Sequence, residues 1–185
     1  MSSVNAPFGL RDAYHPSGTL RPVAGTILST YNTDIYTGSP VKMGTNGTIE
    51  LAAAGERLIG LFAGCEYTPG NGRRVVSPYW PANTVATDIV AYYTMDPYIV
   101  YEIQADGTID LNEIGQQADF TNAGSGSSVT GLSTATISAS TSSSGSAQLR
   151  IIGIANGINN AAGDAYTVVQ VQISEHQYVA TQNAF

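Results

Sequence analysis

Arg57-Leu-Ile-Gly-Leu-Phe-Ala-Gly64 returns later in the chain as Arg150-Ile-Ile-Gly-Ile-Ala-Asn-Gly157. Both are short apolar runs punctuated by glycine, and each reads as a buried strand. Each also has an upstream companion: Asn46-Gly-Thr-Ile-Glu-Leu51 for the first, Asp106-Gly-Thr-Ile-Asp-Leu111 for the second. Asn-Gly and Asp-Gly accept positive φ at little cost, so each companion is expected to start a tight turn that feeds a strand. The same pattern written twice predicts a β core. It leaves open whether the copies pair within one barrel or mark two lobes.

Outward from these phrases the chain continues in short β-rich runs. Strands are expected at 26–31, 35–36, 40–43, 49–51, 58–67, 88–94, 98–104, 149–154 and 166–174. Ile99, Tyr101 and Ile103 fall on one face, and Thr167, Val169, Val171 and Ile173 alternate with Val168, Gln170 and Gln172. Residues 52–56 suit one helical turn, and 109–120 is the best helix candidate. The stretch 121–147 is rich in Ser, Thr and Gly and reads as a long loop carrying one strand around 134–140, with disorder as the alternative. Many short strands with little helix predict a mainly β fold, an antiparallel β-barrel or β-sandwich. Residues 58–62 and 151–154, Ile152 among them, are expected to carry the stability.

The β domain spans 26–178 on this reading and a C-terminal tail follows over 179–185; the chain is expected to be loose from 175 on, although Phe185 could anchor it. Residues 1–25 form an extended N-terminal arm. Pro7, Pro16 and Pro22 push their preceding residues to extended conformations. The arm carries Phe8, Leu10, Tyr14 and Leu20, too many apolar groups for a solvated tail. It is expected to lie on its own barrel, or on a neighbouring subunit or partner.

Composition limits what such a domain can do. In 185 residues, 43% are apolar but only 11% are charged, and eleven are tyrosine. A surface of neutral hydroxyls and amides costs little to desolvate, which suits packing against other protein. The net charge is −7. Beyond Arg74 only Arg150 is basic, so phosphate is repelled and direct nucleic-acid binding is not expected. Cys65 is the one cysteine, which rules out an intrachain disulfide and suits a small buried hydrophobe in a chain folded under reducing conditions. No signal peptide is expected at the start of the chain, and no apolar run reaches membrane-spanning length.

Catalytic chemistry is sparse. His15 and His176 are the only histidines, too few for a multi-His metal site, and each suits an ordinary polar contact. Asp106, Asp110 and Glu113 form the densest acidic cluster, which fits a glycosidase pair or a calcium loop poorly and a capped turn well. Asn46-Gly-Thr48 is a sequon read as a hairpin turn. Arg57 and Arg150 need acceptors, for which Glu56, Glu66 and Asp164 are candidates. Arg73 and Arg74 form the only doubled positive charge, on an exposed loop where an acidic partner surface could be met. Tyr79 and Trp80, held between Pro78 and Pro81, are either an aromatic interface anchor or a core plug. No enzyme activity, cofactor or metal is expected.

Asn5-Ala-Pro-Phe-Gly-Leu-Arg11, residues 52–67, Tyr79-Trp-Pro-Ala82, Asp96-Pro-Tyr-Ile-Val-Tyr-Glu-Ile-Gln104 and Leu149-Arg-Ile-Ile-Gly-Ile154 together resemble the head decoration (cement) proteins of tailed double-stranded DNA bacteriophages, cyanophages among them. The resemblance runs from residue 5 to about 178. It implies a virion protein, made in the host cytoplasm and bound in many copies to the outer capsid surface. Its partners would be the major capsid protein and further copies of itself, a trimer rather than a dimer, with no membrane. The implied docking residues are Asn5, Pro7, Phe8, Leu10 and Arg11 of the arm, with Arg73, Arg74, Tyr79 and Trp80. A tail tube, tail fibre or minor coat subunit is the alternative. A carbohydrate-binding module, with Tyr79, Trp80 and a carboxylate lining a sugar site, stands further off.

Overall fold

Segment 58–62 is apolar on both sides because both of its sides are covered. Leu58 and Leu61 enter one hydrophobic cluster, while Ile59 and Phe62 enter another. A strand buried on two faces reads as a continuous apolar run rather than an alternating one. The computed structural model describes residues 4–181.

In chain order the strands are β1 (Arg11–Tyr14), β2 (Val23–Gly25), β3 (Ile35–Tyr36), β4 (Pro40–Met43), β5 (Ile49–Leu51), β6 (Gly60–Pro69), β7 (Val75–Ser77) and β8 (Tyr79–Trp80). They continue with β9 (Ala86–Tyr93), β10 (Val100–Gln104), β11 (Gln117–Ala118), β12 (Phe120–Thr121), β13 (Thr136–Ile137), β14 (Leu149–Ile154) and β15 (Val168–Ile173). One sheet has the order β1-β10-β15-β14-β11; the other runs β2-β9-β6-β4-β5, with β7 also on β6. The named strand pairs are antiparallel. Two-stranded pieces β3-β8 and β12-β13 complete the fold. Neither large sheet closes on itself, so the mainly β fold is sandwich-like rather than a barrel.

The two copies of the repeated phrase lie in different sheets. β6 is central in one, and its entry over 58–62 is covered on both sides; β14 is covered mainly on one side, where Leu149 and Ile151 enter the core and Ile152 is only half-buried. Ile151, not Ile152, is therefore the stability-bearing isoleucine. The companions differ too. Asn46-Gly47 turns β4 into β5, with Gly47 at φ 71°. Asp106-Gly107 leads to no strand. Ile109 instead buries its side chain, and its N–H donates to Thr167 Oγ1 at 3.2 Å.

The expected helix over 109–120 is a single 3-10 turn, Leu111–Glu113. Leu111 is exposed, and the following residues are drawn into ladders with β14 and β13. Residues 52–56 form a tight turn, closed by Glu56 N–H to Ala53 O at 3.2 Å. The expected strand at 26–31 is absent. Its backbone bonds go to separate places, Thr26 O to Ile49 and Thr30 N–H to Thr84, and Thr30 sits at φ 71°. The Ser/Thr-rich stretch is packed in its middle, with Ser133, Ala135 and Ile137 buried and the two-residue β13 as its strand, while 128–130 and 142–146 are exposed.

The arm lies along its own chain. β1 pairs with β10, β2 pairs with β9, and Leu10 is a core residue. Gln104 clasps the backbone ahead of β1, accepting from Ala6 N–H at 2.9 Å and donating to Val4 O at 3.1 Å. The expected loose tail is docked over 175–179, where Leu58 N–H donates to Glu175 O at 2.9 Å. Phe185 lies outside the described residues.

Truncating Ile151, fully buried, to Ala should cost about 2–5 kcal/mol in urea denaturation, and Ile152→Ala less than half as much.

Candidate functional site

Alternation along β6, β7 and β9 divides side chains between a core and an open face. Cys65, Tyr67, Ala91 and Tyr93 point inward. Glu66, directly opposite both Val76 and Val90, points outward, as do Tyr92 and its partner Ala24 on β2. The result is an outward face across β7-β6-β9-β2.

Glu66, at the centre of this face, is held by partners within the chain. Arg74 Nε donates to Glu66 Oε2 at 3.0 Å, and the Tyr92 hydroxyl donates to Glu66 Oε1. Arg74 Nη1 also reaches Asp88 O at 3.4 Å. The Tyr92 hydroxyl and then Arg74 hold the Glu66 carboxyl below its ordinary value, and the same bonds push Tyr92 and Arg74 up. Beside this ionic centre Val76 is 80% exposed. At the far end Val85, 67% exposed, lines a shallow cleft of about 290 Å³ with Pro69, Gly72 and Ala86. The loop before β7 is set by a tight turn, Gly72 N–H to Pro69 O at 2.9 Å, and by Asn71 Oδ1, which accepts from Arg73 N–H at 3.1 Å.

The other predicted docking residues scatter. Asn5 and Pro7 line a polar cleft of about 200 Å³ with Asp106, Asn122, Ser125, Thr134 and Thr136. Phe8 is half-buried under the Arg11 guanidinium, 4.6 Å from the ring centre, and Arg11 Nη2 donates to Glu102 Oε2 at 2.6 Å. Arg73 is exposed.

Two of the docking residues implied by the resemblance are corrected. Leu10 is 2% exposed and Trp80 0%, so neither offers a surface. Trp80 is a core plug, edge-on to Tyr67 at 5.2 Å, because β8 pairs with β3 and turns its indole inward. Tyr79 is partly exposed and stacks on Tyr36 at 5.5 Å.

Arg57 donates to two backbone carbonyls, His176 O at 2.9 Å and Val179 O at 2.7 Å, and not to a carboxylate. Glu56 is engaged by Lys42 at 2.6 Å and Glu66 by Arg74. Among the described residues, no group of three or more His, Cys, Asp or Glu is placed to hold a metal. Asp106 and Glu113 instead hold turns: Asp106 Oδ1 accepts from Ala139 N–H at 2.8 Å, Glu113 Oε2 from Asp110 N–H at 2.6 Å. Among the described residues, no helix is long and apolar enough to cross a membrane.

Sequence reasoning missed Val76, Val85 and Tyr92. The signal was present in the period of two, since fixing Cys65 and Tyr67 as inward makes Glu66 outward and places its cross-strand neighbours beside it. No family model, curated protein or solved structure matches this chain.

Cys65, 1% exposed, is covered by β7 and β9, and burial pushes its thiol up to about 12. A disulfide-exchange reagent at pH 8 should therefore label native protein at least about a hundredfold more slowly than unfolded protein.

Proposed function

We propose that this protein is a structural virion component, a head decoration protein of a tailed double-stranded DNA bacteriophage. It binds the outer capsid surface by contacts with the major capsid protein and with copies of itself, a trimer before a dimer, and performs no reaction. The observation that carries this reading is the β7-β6-β9-β2 face. Its ion pair is already made within the chain, and bare valine lies next to it. Docking there removes apolar surface from water without stranding a charge, the balance that favours a protein partner.

The composition of the chain supports the same use. A net charge of −7 disfavours packaged DNA as the direct partner, and few ions need desolvation elsewhere on the surface. The Phe8–Arg11 edge and the Arg73 loop supply further points of contact. On a repeating lattice several such modest contacts, made by a symmetric oligomer, add through effective concentration. The sequence resemblance leads to the same class of protein.

Deleting the arm cannot test docking alone, since Leu10, β1 and β2 belong to the body. The test is co-sedimentation of purified protein with undecorated, expanded capsids of the encoding phage. Wild type should bind, and Val76→Asp should bind at least about fivefold more weakly with an unchanged melting temperature. Failure of the wild type to bind would overturn the reading; undiminished binding by Val76→Asp would remove this face from it.

A further inference from the structure

After β15 the chain does not leave the body. It runs back along the entry to β6. Leu58 N–H donates to Glu175 O at 2.9 Å and Leu58 O accepts from Gln177 N–H at 2.7 Å, a parallel bridge with His176 at its centre. Gln177 closes a second clasp with its side chain, accepting from Met43 N–H at 2.6 Å and donating to Met43 O at 3.1 Å. Arg57 closes a third on the carbonyls of His176 and Val179.

The His176 ring under this segment is 1% exposed, and both of its nitrogens are committed. Nε2 lies 3.0 Å from Ile59 O, an acceptor, so it carries the proton. Nδ1 receives Tyr178 N–H at 3.1 Å, so it must be bare. Only the neutral ring with its proton on Nε2 meets both demands. A second proton would set donor against donor at Tyr178 and leave a cation out of reach of water.

We propose that segment 174–179 is an acid-released latch, shut while the His176 imidazole is neutral and opened when the ring takes its second proton. This inference does not depend on the proposed virion role.

The groups facing the ring come from each element around it. From the chain ahead of β6 comes Arg57, a like charge that opposes the second proton. From the turn after β9 comes Asp96, which favours it, but this carboxylate also lies 3.2 Å from His15 Nε2 and accepts from Tyr98 N–H. The Tyr178 ring sits at 5.9 Å, and Tyr93, at the end of β9, faces Tyr178 in turn. Glu175 is the adjoining residue, its backbone carbonyl held by Leu58. Burial dominates and lowers the His176 pKa, against the carbonyls of Ile59 and Met95 and the charge of Asp96.

The sign follows. The released ring regains its ordinary value near 6.5, above that of the docked ring, so the open state binds more protons between the two. The latch is fully held above about pH 6.5 and loosens as pH falls from there toward the docked value. Glu56 and Glu66, whose values are lowered, respond only beneath the ordinary carboxylate range and so lie outside this window. Opening uncovers the N–H and C=O of Leu58 on the edge of the segment that leads into β6.

Hydrogen exchange read by mass spectrometry from pH 7.5 to 5.0, corrected for the intrinsic rate, tests this on the full chain. The opening constant over 174–179 should rise by up to about tenfold per pH unit below about 6.5, while β15 holds its protection. In His176→Gln the profile should be flat at whatever level it sits. A latch that opens only together with β15, or a profile that is the same in His176→Gln, would overturn the proposal.

Discussion

Everything in this fold leans on the close approach of β6 to the end of β9. A Cβ on Gly60 would stand 1.8 Å from the carbonyl oxygen of Thr94, so only glycine allows the two backbones to meet. At that crossing Thr94 N–H donates to Leu61 O at 3.0 Å, and Leu61 N–H donates to Thr94 Oγ1 at 3.2 Å. Thr94 Oγ1 in turn lies 3.0 Å from the buried Tyr101 hydroxyl on β10, the second strand of the other sheet. One junction thus joins the two sheets. It also turns Leu58 and Leu61 to one core and Ile59 and Phe62 to the other, and carries the C-terminal segment on its outer edge.

Few charges are available to this chain, and those in the best-defined places are spent inward. Arg74 and Tyr92 close on Glu66, Lys42 on Glu56, Arg11 on Glu102 and Arg57 on backbone carbonyls. Exposed pairs of this kind add little stability. Their effect at the outward face is to leave Val76 bare beside an ion pair closed within the chain, the feature on which the proposed docking reading rests.

Much of the fold was legible in the sequence. The runs at 35–36, 40–43, 49–51, 58–67, 88–94, 98–104, 149–154 and 166–174 all contain strands, because period-two burial and Gly or Asn turns are local signals. The failures were tertiary. The 109–120 stretch lost its helix because Gln117–Ala118 and Phe120–Thr121 found strand partners far along the chain. Likeness of the two phrases concealed a difference in cover, two-sided over 58–62 at the entry to β6 and mainly one-sided at β14, which the residue types alone do not encode. At the candidate site, Arg74 was visible as a doubled charge. Its partner Glu66 and the exposed Val76 depend on cross-strand register, and the burial of Trp80 depends on which strand β8 meets.

The most direct test of the shared junction is the unfolding of Gly60→Ala by two probes, Trp80 fluorescence for one core and hydrogen exchange of β10 and β15 for the other. A shared junction predicts a loss of more than about 2 kcal/mol, with both probes falling in one transition. A midpoint equal to that of wild type, or a Trp80 transition that leaves β10 and β15 protected, would contradict it.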